Sequence, residues 1–351
     1  MRCAVLVGLL LAGCGHGPEA ALPVGSAPVV TAMVTAVAET DPVASTDDAA
    51  DDPAIWRNPA DPARSLIVAT DKRAGLHLYD LKGRRLDFAA SPRLNNVDLR
   101  AGVRIGGVPG VLVAASDRAD DAQAKMALFR LDAVARKLVP LASVPVGPGE
   151  AYGMCLWTRA RDGALFAFVV MKDGRIDQMA FDLSGAVPTA TRVRSLKLGT
   201  QSEGCVADDR TGRLYVSEED VGLWGFDADP AAPATPEPLA KVDGVRLFAD
   251  AEGMTLAPMG RKGGYLVVSS QGDNSYALYR LPDMRFAGRF RIGDGKVDGT
   301  SETDGIDLVV GDFGPDYPGG LMVAQDGDNA PATQNFKLVA WGAVKRALGL
   351  R

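Results

Sequence analysis

The chain has 351 residues, of which 47% are hydrophobic and 23% charged, with 40 glycines and 22 prolines. This is the composition of a globular protein rich in turns, long enough for one large domain or two small ones. The formal net charge of −6 lacks the basic excess expected of a nucleic-acid-binding protein, so we expect no nucleic-acid partner.

The N-terminus resembles an export signal. A single basic residue, Arg2, precedes an apolar run over 4–11 that is too short to span a membrane. Leu11-Ala12-Gly13-Cys14 is similar to a bacterial lipobox, whose cysteine is acylated; the alternative is a plain signal peptide with a chance cysteine. We therefore expect a lipoprotein signal peptide over 1–13 and a flexible tether over 14–30.

These features predict export, with Cys14 as the only membrane anchor, to the outer membrane, periplasm or cell surface of a Gram-negative bacterium. Two further cysteines, Cys155 and Cys205, form an even pair in an oxidising compartment. Their sequence positions leave open whether they form a disulfide or remain two buried thiols.

The remainder of the chain, 31–351, repeats one pattern six times. Each repeat has an acidic or Asn start, an apolar strand, a Gly turn, a second strand, a polar cluster and a strand with an aromatic residue. The repeats start at Asp51, Asn96, Glu150, Glu203, Glu252 and Asp304. A period near fifty residues predicts an all-β, six-bladed β-propeller with four-stranded antiparallel blades. The strand-like stretch 29–40 is expected to complete the last blade.

Acidic residues recur at equivalent points of the repeats, so the propeller brings them together at one mouth of the central channel. Crowded carboxylates have raised pKa values unless cations neutralise them. Hard oxygen ligands with amide partners suit Ca²⁺, whereas zinc is disfavoured because the chain has only two histidines. The alternative is that these acids cap turns in solvent; their recurrence in register favours calcium.

Basic residues occupy the polar clusters of the first three repeats. Lys72 and Arg73 lie in the first, Arg118 in the second and Lys172 in the third. Each alone is typical of a solvated surface, but a half-ring of cations beside acids that bind calcium suits phosphate groups. The sequence therefore predicts a phosphorylated ligand.

Several segments resemble the signature segments of the β-propeller phytases, in order and spacing, over about 39–341. They are Asp51-Asp52-Pro53-Ala54-Ile55-Trp56, Asn95-Asn96-Val97-Asp98, Gln201-Ser202-Glu203-Gly204, Ser269-Ser270-Gln271-Gly272, the run over 298–307, and Gln325-Asp326-Gly327-Asp328-Asn329.

This resemblance implies several calcium ions, some structural and some at a substrate cleft. It assigns the cleft ions to Asp51, Glu203, Glu219, Asp250, Glu252, Gln271, Asp298 and Asp304. It assigns structural calcium sites to Glu39, Asp52, Asp326 and Asn329. It assigns phosphate contacts to Lys72, Arg73, Arg118, Tyr152 and Lys172, and we count Glu219 among the catalytic residues as well.

The implied activity is that of a 3-phytase, a phosphoric monoester hydrolase acting on phytate or its calcium complex, in a chain expected to be monomeric. The chain lacks an Arg-His-Gly motif, so direct attack by a calcium-bridged water is expected instead of a phosphohistidine route. Two alternatives are a calcium-dependent lactonase or esterase propeller and a non-catalytic binding propeller. Neither requires both several acids and a basic flank.

Overall fold

In the computed structural model, which describes residues 29–350, the strands form six sheets. Each sheet contains four antiparallel strands, and one of the six sheets has in addition a fifth strand that pairs in parallel. The predicted signal peptide lies outside the described residues, as does the tether up to residue 28. The sheets are the blades of a six-bladed β-propeller, as the repeats predicted.

The strands follow the repeats in chain order. Two short strands precede the first blade: β1 (Thr31–Thr35) and β2 (Ala38–Glu39). Blades one and two contain β3 (Ala50–Trp56), β4 (Leu66–Asp71), β5 (Gly75–Asp80), β6 (Arg85–Ala90), β7 (Leu94–Ile105), β8 (Val108–Asp117), β9 (Gln123–Asp132) and β10 (Lys137–Pro148). Blades three and four contain β11 (Ala151–Thr158), β12 (Leu165–Met171), β13 (Arg175–Asp182), β14 (Thr189–Lys197), β15 (Ser202–Asp208), β16 (Arg213–Glu218), β17 (Gly222–Asp227) and β18 (Glu237–Lys241).

Blades five and six contain β19 (Ala251–Met259), β20 (Gly263–Ser270), β21 (Ser275–Leu281), β22 (Arg285–Gly293), β23 (Ile306–Val310), β24 (Gly320–Asp326) and β25 (Asn335–Ala340). One short helix, α1 (Trp341–Ala347), follows the last of these strands. No helix within 29–350 has the length and apolarity needed to cross a bilayer.

The first strands of the six blades contact one another in a closed ring, in the order β3, β7, β11, β15, β19, β23 and back to β3. The middle strands are apolar runs such as Leu66–Asp71 and Leu165–Met171, buried along their whole length. Both faces of each blade are covered by neighbouring blades, which explains why these strands show no alternation of polar and apolar residues.

The core consists of six apolar clusters, one between each pair of neighbouring blades. Trp56 and Phe129, for example, pack in the cluster between blades one and two, and Phe168 and Phe226 in the one between blades three and four. The hydrophobic stabilisation is therefore spread around the ring and depends on all six blades being present.

The N-terminal strands join two different blades. β2 pairs antiparallel with β25 and completes blade six, which confirms the predicted closure of the ring. β1 instead pairs in parallel with β22 at the outer edge of blade five, so the prediction that the whole of 29–40 joins the last blade was wrong.

A disulfide between Cys155 and Cys205 resolves the question that the sequence left open. Its Cα atoms are 5.7 Å apart, within the normal range for such a bond. It connects β11 to β15, and so ties the innermost strands of blades three and four to each other.

Candidate active site

A β-bulge near the start of five of the six innermost strands directs one side chain into the channel. In β3, for example, the pairing with β4 passes from Ala50 directly to Pro53 and leaves Asp51 and Asp52 unpaired. β7, β11, β15 and β19 have the same irregularity. The bulged pairs are Asp51-Asp52, Asn95-Asn96, Tyr152-Gly153, Glu203-Gly204 and Glu252-Gly253, with Asp304-Gly305 just before β23. Bulges of this kind re-aim side chains at the rims of sheets.

Glycine follows the channel residue in four blades because the next blade approaches too closely for a side chain. A Cβ atom at Gly153 would lie 1.8 Å from the carbonyl oxygen of Glu203, and one at Gly204 would lie 2.3 Å from that of Glu252. Gly253 and Gly305 meet the next blade in the same way. The glycines thus allow the six channel residues to converge.

Four carboxylates of this ring and one from a neighbouring turn form a buried acidic cluster. Its members are Asp51, Glu203, Glu219, Glu252 and Asp304. Single oxygens of Glu203, Glu219 and Glu252 lie within 4.8 Å of one another. Burial raises the pKa of Asp51 from its ordinary value of 3.8 to about 7 and that of Glu219 from 4.5 to about 7. Burial and then neighbouring carboxylates hold the pKa values of Glu203 and Glu252 well above the ordinary range.

The oxygens of this cluster are short of hydrogen-bond donors. Among the described residues, neither oxygen of Asp51 has a partner, and neither do Oε1 of Glu219 and Oε2 of Glu252. Buried carboxylates without donors are unfavourable unless they are protonated or bind a cation. The cluster therefore fits a hard cation such as Ca²⁺, which binds through several carboxylate oxygens at flexible geometry.

Amide side chains hold three of these carboxylates in place. Asn95 Nδ2 donates to Glu203 Oε1 at 2.6 Å, and Gln201 Nε2 donates to Glu219 Oε2 at 2.8 Å. Gln271 Nε2 donates to Asp304 Oδ1 at 2.7 Å. The other oxygen of Glu219 has no partner among the described residues, whereas the other oxygen of Asp304 accepts from Lys72. Asp250, whose pKa is raised by burial, lines the same cleft, which has a volume of about 480 Å³.

Basic and aromatic side chains form one wall of this cleft. Lys72 Nζ lies 2.9 Å from Asp304 Oδ2. Burial opposes the charge on Lys72, but Asp51, Asp304 and Asp48 outweigh it and raise its pKa, so the ammonium stays charged. Arg118 Cζ and Lys172 Nζ lie 5.6 and 5.2 Å from the ring centre of Tyr152, within cation–π distance.

Tyr152 remains a neutral phenol. Burial, and then the charges of Glu203 and Glu252, raise its pKa.

The two arginines differ in position. Arg73 lies further out than Lys72, with 53% of its side chain exposed. Arg118 also pairs with Glu150 at 3.5 Å.

A second polar group lies at the junction of blades five and six, around the buried ammonium of Lys337. Lys337 Nζ lies 2.6 Å from Glu39 Oε2 and 3.2 Å from Asp326 Oδ2. It also donates to Asn329 Oδ1 at 3.2 Å and to Asp298 Oδ1. The structure thus places Asp298 with Glu39, Asp326 and Asn329, and not among the acids of the cleft with which the resemblance grouped it.

Asp52 also lies apart from the cleft. Its Oδ2 accepts a hydrogen bond of 3.0 Å from Val97 N–H, linking blade one to blade two. It lines the channel on the side where Asp98, Asp209 and Asp307 lie. There Asp307 accepts from Ile55 N–H at 2.8 Å and links blade six to blade one.

The sequence reasoning missed five residues of these sites: Asp48, Asn95, Gln201, Gln325 and Lys337. Gln325 Oε1 accepts from Asp304 N–H at 2.8 Å. Asn95, Gln201 and Gln325 stand inside the quoted signature segments, beside residues that were chosen. Asp48 precedes the first repeat by three residues, and its acidic neighbour Asp47 is the signal that would have indicated it.

The fold and the cleft define a class: a six-bladed propeller whose channel mouth combines a buried acidic cluster that could hold a metal ion with a basic wall. Comparison with known proteins specifies the family. The sequence model of the family Phytase matches residues 6–351. A "3-phytase" of Bacillus subtilis (strain 168) is 42% identical over 329 residues, which cover 90% of this chain and 85% of that protein. The chain belongs to the phytase family and is an enzyme.

Proposed function

We propose that the chain hydrolyses the phosphomonoesters of myo-inositol hexakisphosphate in a calcium-dependent reaction, with inorganic phosphate and lower inositol phosphates as products. The observation that carries this proposal is one cleft in which buried carboxylates without donors lie beside Lys72 and Tyr152, with Arg118 and Lys172 against the Tyr152 ring. The family and its 3-phytase relative support the substrate.

The acids Asp51, Glu203, Glu219, Glu252 and Asp304 would hold calcium, with Asp250 and Gln271 at the edge of the same cleft. Bound calcium supplies positive charge beside the phosphate and activates water for attack on phosphorus. The amides of Asn95 and Gln271 donate to Glu203 and Asp304 and keep these two acids oriented before substrate arrives.

The basic wall binds and stabilises the transferred phosphate. The ammonium of Lys72 is held by Asp304 and directed into the cleft, while Arg118 and Lys172 are kept beside the face of Tyr152. These cations donate to the phosphate oxygens, whose charge increases as water attacks. A second phosphate of the substrate would contact Arg73 at the rim.

The group around Lys337 is proposed as a structural cation site. Glu39, Asp298, Asp326 and Asn329 direct four side-chain oxygens at the ammonium of Lys337, with Oδ2 of Asp326 at 3.2 Å. Asp52 is proposed to contribute to another structural cation site, together with Asp98, Asp209 and Asp307 on the same side of the channel. Both sites would stabilise the junctions between blades.

The decisive experiment measures phosphate release from calcium phytate at neutral pH. Release should stop on chelation and return on addition of calcium. Lys172→Ala, at an exposed position, should lower kcat/KM about 100-fold with unchanged thermal stability. Lys262→Ala is the matched control, since Lys262 is also an exposed lysine but lines a different groove. Activity that survives thorough chelation, or no release at any calcium concentration, would contradict the proposal.

We also propose that the chain is exported and anchored through acylated Cys14, on the basis of the lipobox alone. Expression in a Gram-negative host should place the protein in the membrane fraction. Cys14→Ser should move it to the soluble fraction, and an unchanged distribution would refute the anchor.

A further inference from the structure

The segment between β2 and β3 places two carboxylates against two cations of the cleft. Asp48 Oδ1 lies 2.5 Å from Lys72 Nζ, and Asp47 Oδ2 lies 3.6 Å from Arg73 Nη1. Arg73 Nε also donates to the carbonyl oxygen of Asp48 at 3.3 Å. Asp47 and Asp48, which we call the acidic tip, therefore occupy donors that the proposed function assigns to phosphate.

The backbone next to the acidic tip is held by hydrogen bonds, whereas the side chains of the tip are exposed. Gln334 Oε1 accepts from Ala49 N–H and Ala50 N–H at 2.7 and 2.8 Å, and Val43 N–H donates to the carbonyl oxygen of Gln334. By contrast, the side chains of Asp47 and Asp48 are 75% and 69% exposed. Asp48 can leave Lys72 by rotation of its side chain, without movement of the backbone.

The two carboxylates on Lys72 are not equivalent. Asp304 is 17% exposed and is also held by Gln271, whereas Asp48 lines the same cleft with 69% of its side chain exposed. Solvent weakens exposed ion pairs, so Asp48 is the partner that an incoming anion replaces. A phosphate dianion brings more charge and more acceptor oxygens to the ammonium than one carboxylate does.

We propose that Asp48 is an internal competitor for phosphate at Lys72. When phosphate leaves, the carboxylate of Asp48 returns to the ammonium, which weakens the retention of inorganic phosphate and clears the cleft for the next substrate. This inference rests on the proposed phosphate-binding role of Lys72.

The test compares anion binding to calcium-saturated wild-type protein and Asp48→Asn by titration calorimetry, with sulfate as a tetrahedral dianion. Removal of an exposed ion pair should lower the dissociation constant of sulfate about two- to fivefold. Product inhibition by inorganic phosphate should strengthen by the same factor. Because Asp48 is exposed, the thermal unfolding of the variant should match that of the wild type.

Glu302→Gln is the matched control. Glu302 is exposed, lines the same cleft and loses the same charge, but it forms no ion pair within 29–350. Unchanged or weaker sulfate binding by Asp48→Asn would overturn the inference, as would equal tightening by Glu302→Gln. Sulfate binding requires no turnover, so absence of phytate hydrolysis would refute the proposed function without deciding this result.

Discussion

Replacing Asp51 with asparagine should stabilise the calcium-free protein more at pH 8 than at pH 5. Asp51 is 1% exposed and has no hydrogen-bond partner for either carboxylate oxygen among the described residues. Its pKa rises from 3.8 to about 7 because of burial. A carboxyl group whose pKa rises on folding stabilises the protein fully below its unfolded-state pKa, and this contribution is lost as pH increases through the folded-state pKa.

The size of this effect follows from the interval between pH 5 and the folded-state pKa of Asp51, which is about 7. One pKa unit corresponds to about 1.4 kcal/mol, so about two units remove about 3 kcal/mol of wild-type stability between pH 5 and pH 8. Asparagine carries no charge and lacks this loss. Any cost of burying its amide is the same at both pH values and cancels in the comparison.

The assay is chemical denaturation of both proteins with a chelator at pH 5 and pH 8. Asp61→Asn serves as the control, because Asp61 is exposed and its side chain forms no hydrogen bond or ion pair within 29–350. An equal free-energy difference between Asp51→Asn and wild type at the two pH values would refute the reasoning. So would a larger benefit at pH 5.

Three further predictions concern stability. Gly204→Ala should destabilise the protein by about 1–3 kcal/mol in denaturant titrations, because the new methyl group meets the backbone of Glu252. Gly185→Ala is the control and should be neutral, since the nearest atom to its new methyl group lies at 3.5 Å. Equal unfolding free energies for the two variants would argue against close strand contact. Reduction of the Cys155–Cys205 disulfide should cost about 2–4 kcal/mol, and a reductant should leave the double alanine variant unaffected. The proposed calcium sites predict that chelation lowers the Tm more at pH 8 than at pH 5, because protons compete with calcium for the acids at low pH; an equal decrease at both pH values would contradict this.

The number of blades was predictable because every blade must bury both faces. This requirement repeats the same order of apolar strands and Gly turns in each unit, and the repeat is visible without knowing any contact. The disulfide was not predictable, because Cys155 and Cys205 become neighbours only when blades three and four pack side by side.

The register of the repeats was predicted less well. Glu150 was aligned with Glu203 as the start of a repeat, but the structure places Tyr152 at the equivalent bulge. The repeats were aligned on their acidic residues. In the structure, what recurs is the close approach of the next blade, which requires a glycine one residue after the channel residue. The Gly after Tyr152 was the better guide.

The resemblance grouped Glu39, Asp326 and Asn329, but the places of Lys337 and Asp298 beside them could not be derived from the sequence. The members of this polar group come from β2, the loop before blade six, the end of β24 with the turn after it, and β25, and a strand sequence does not specify its partner across the ring. The parallel pairing of β1 with β22 escaped prediction for the same reason.

The pairing of β2 with β25 has a consequence for the order of events during biosynthesis. Glu39 meets Lys337 across 298 positions of the chain. A ribosome delivers β2 near the beginning and β25 near the end, so blade six stays incomplete until almost the entire polypeptide has emerged. Until then the folded blades can form only an open arc that exposes an apolar blade face at each end, and the pairing of β25 with β2 completes blade six and closes the ring.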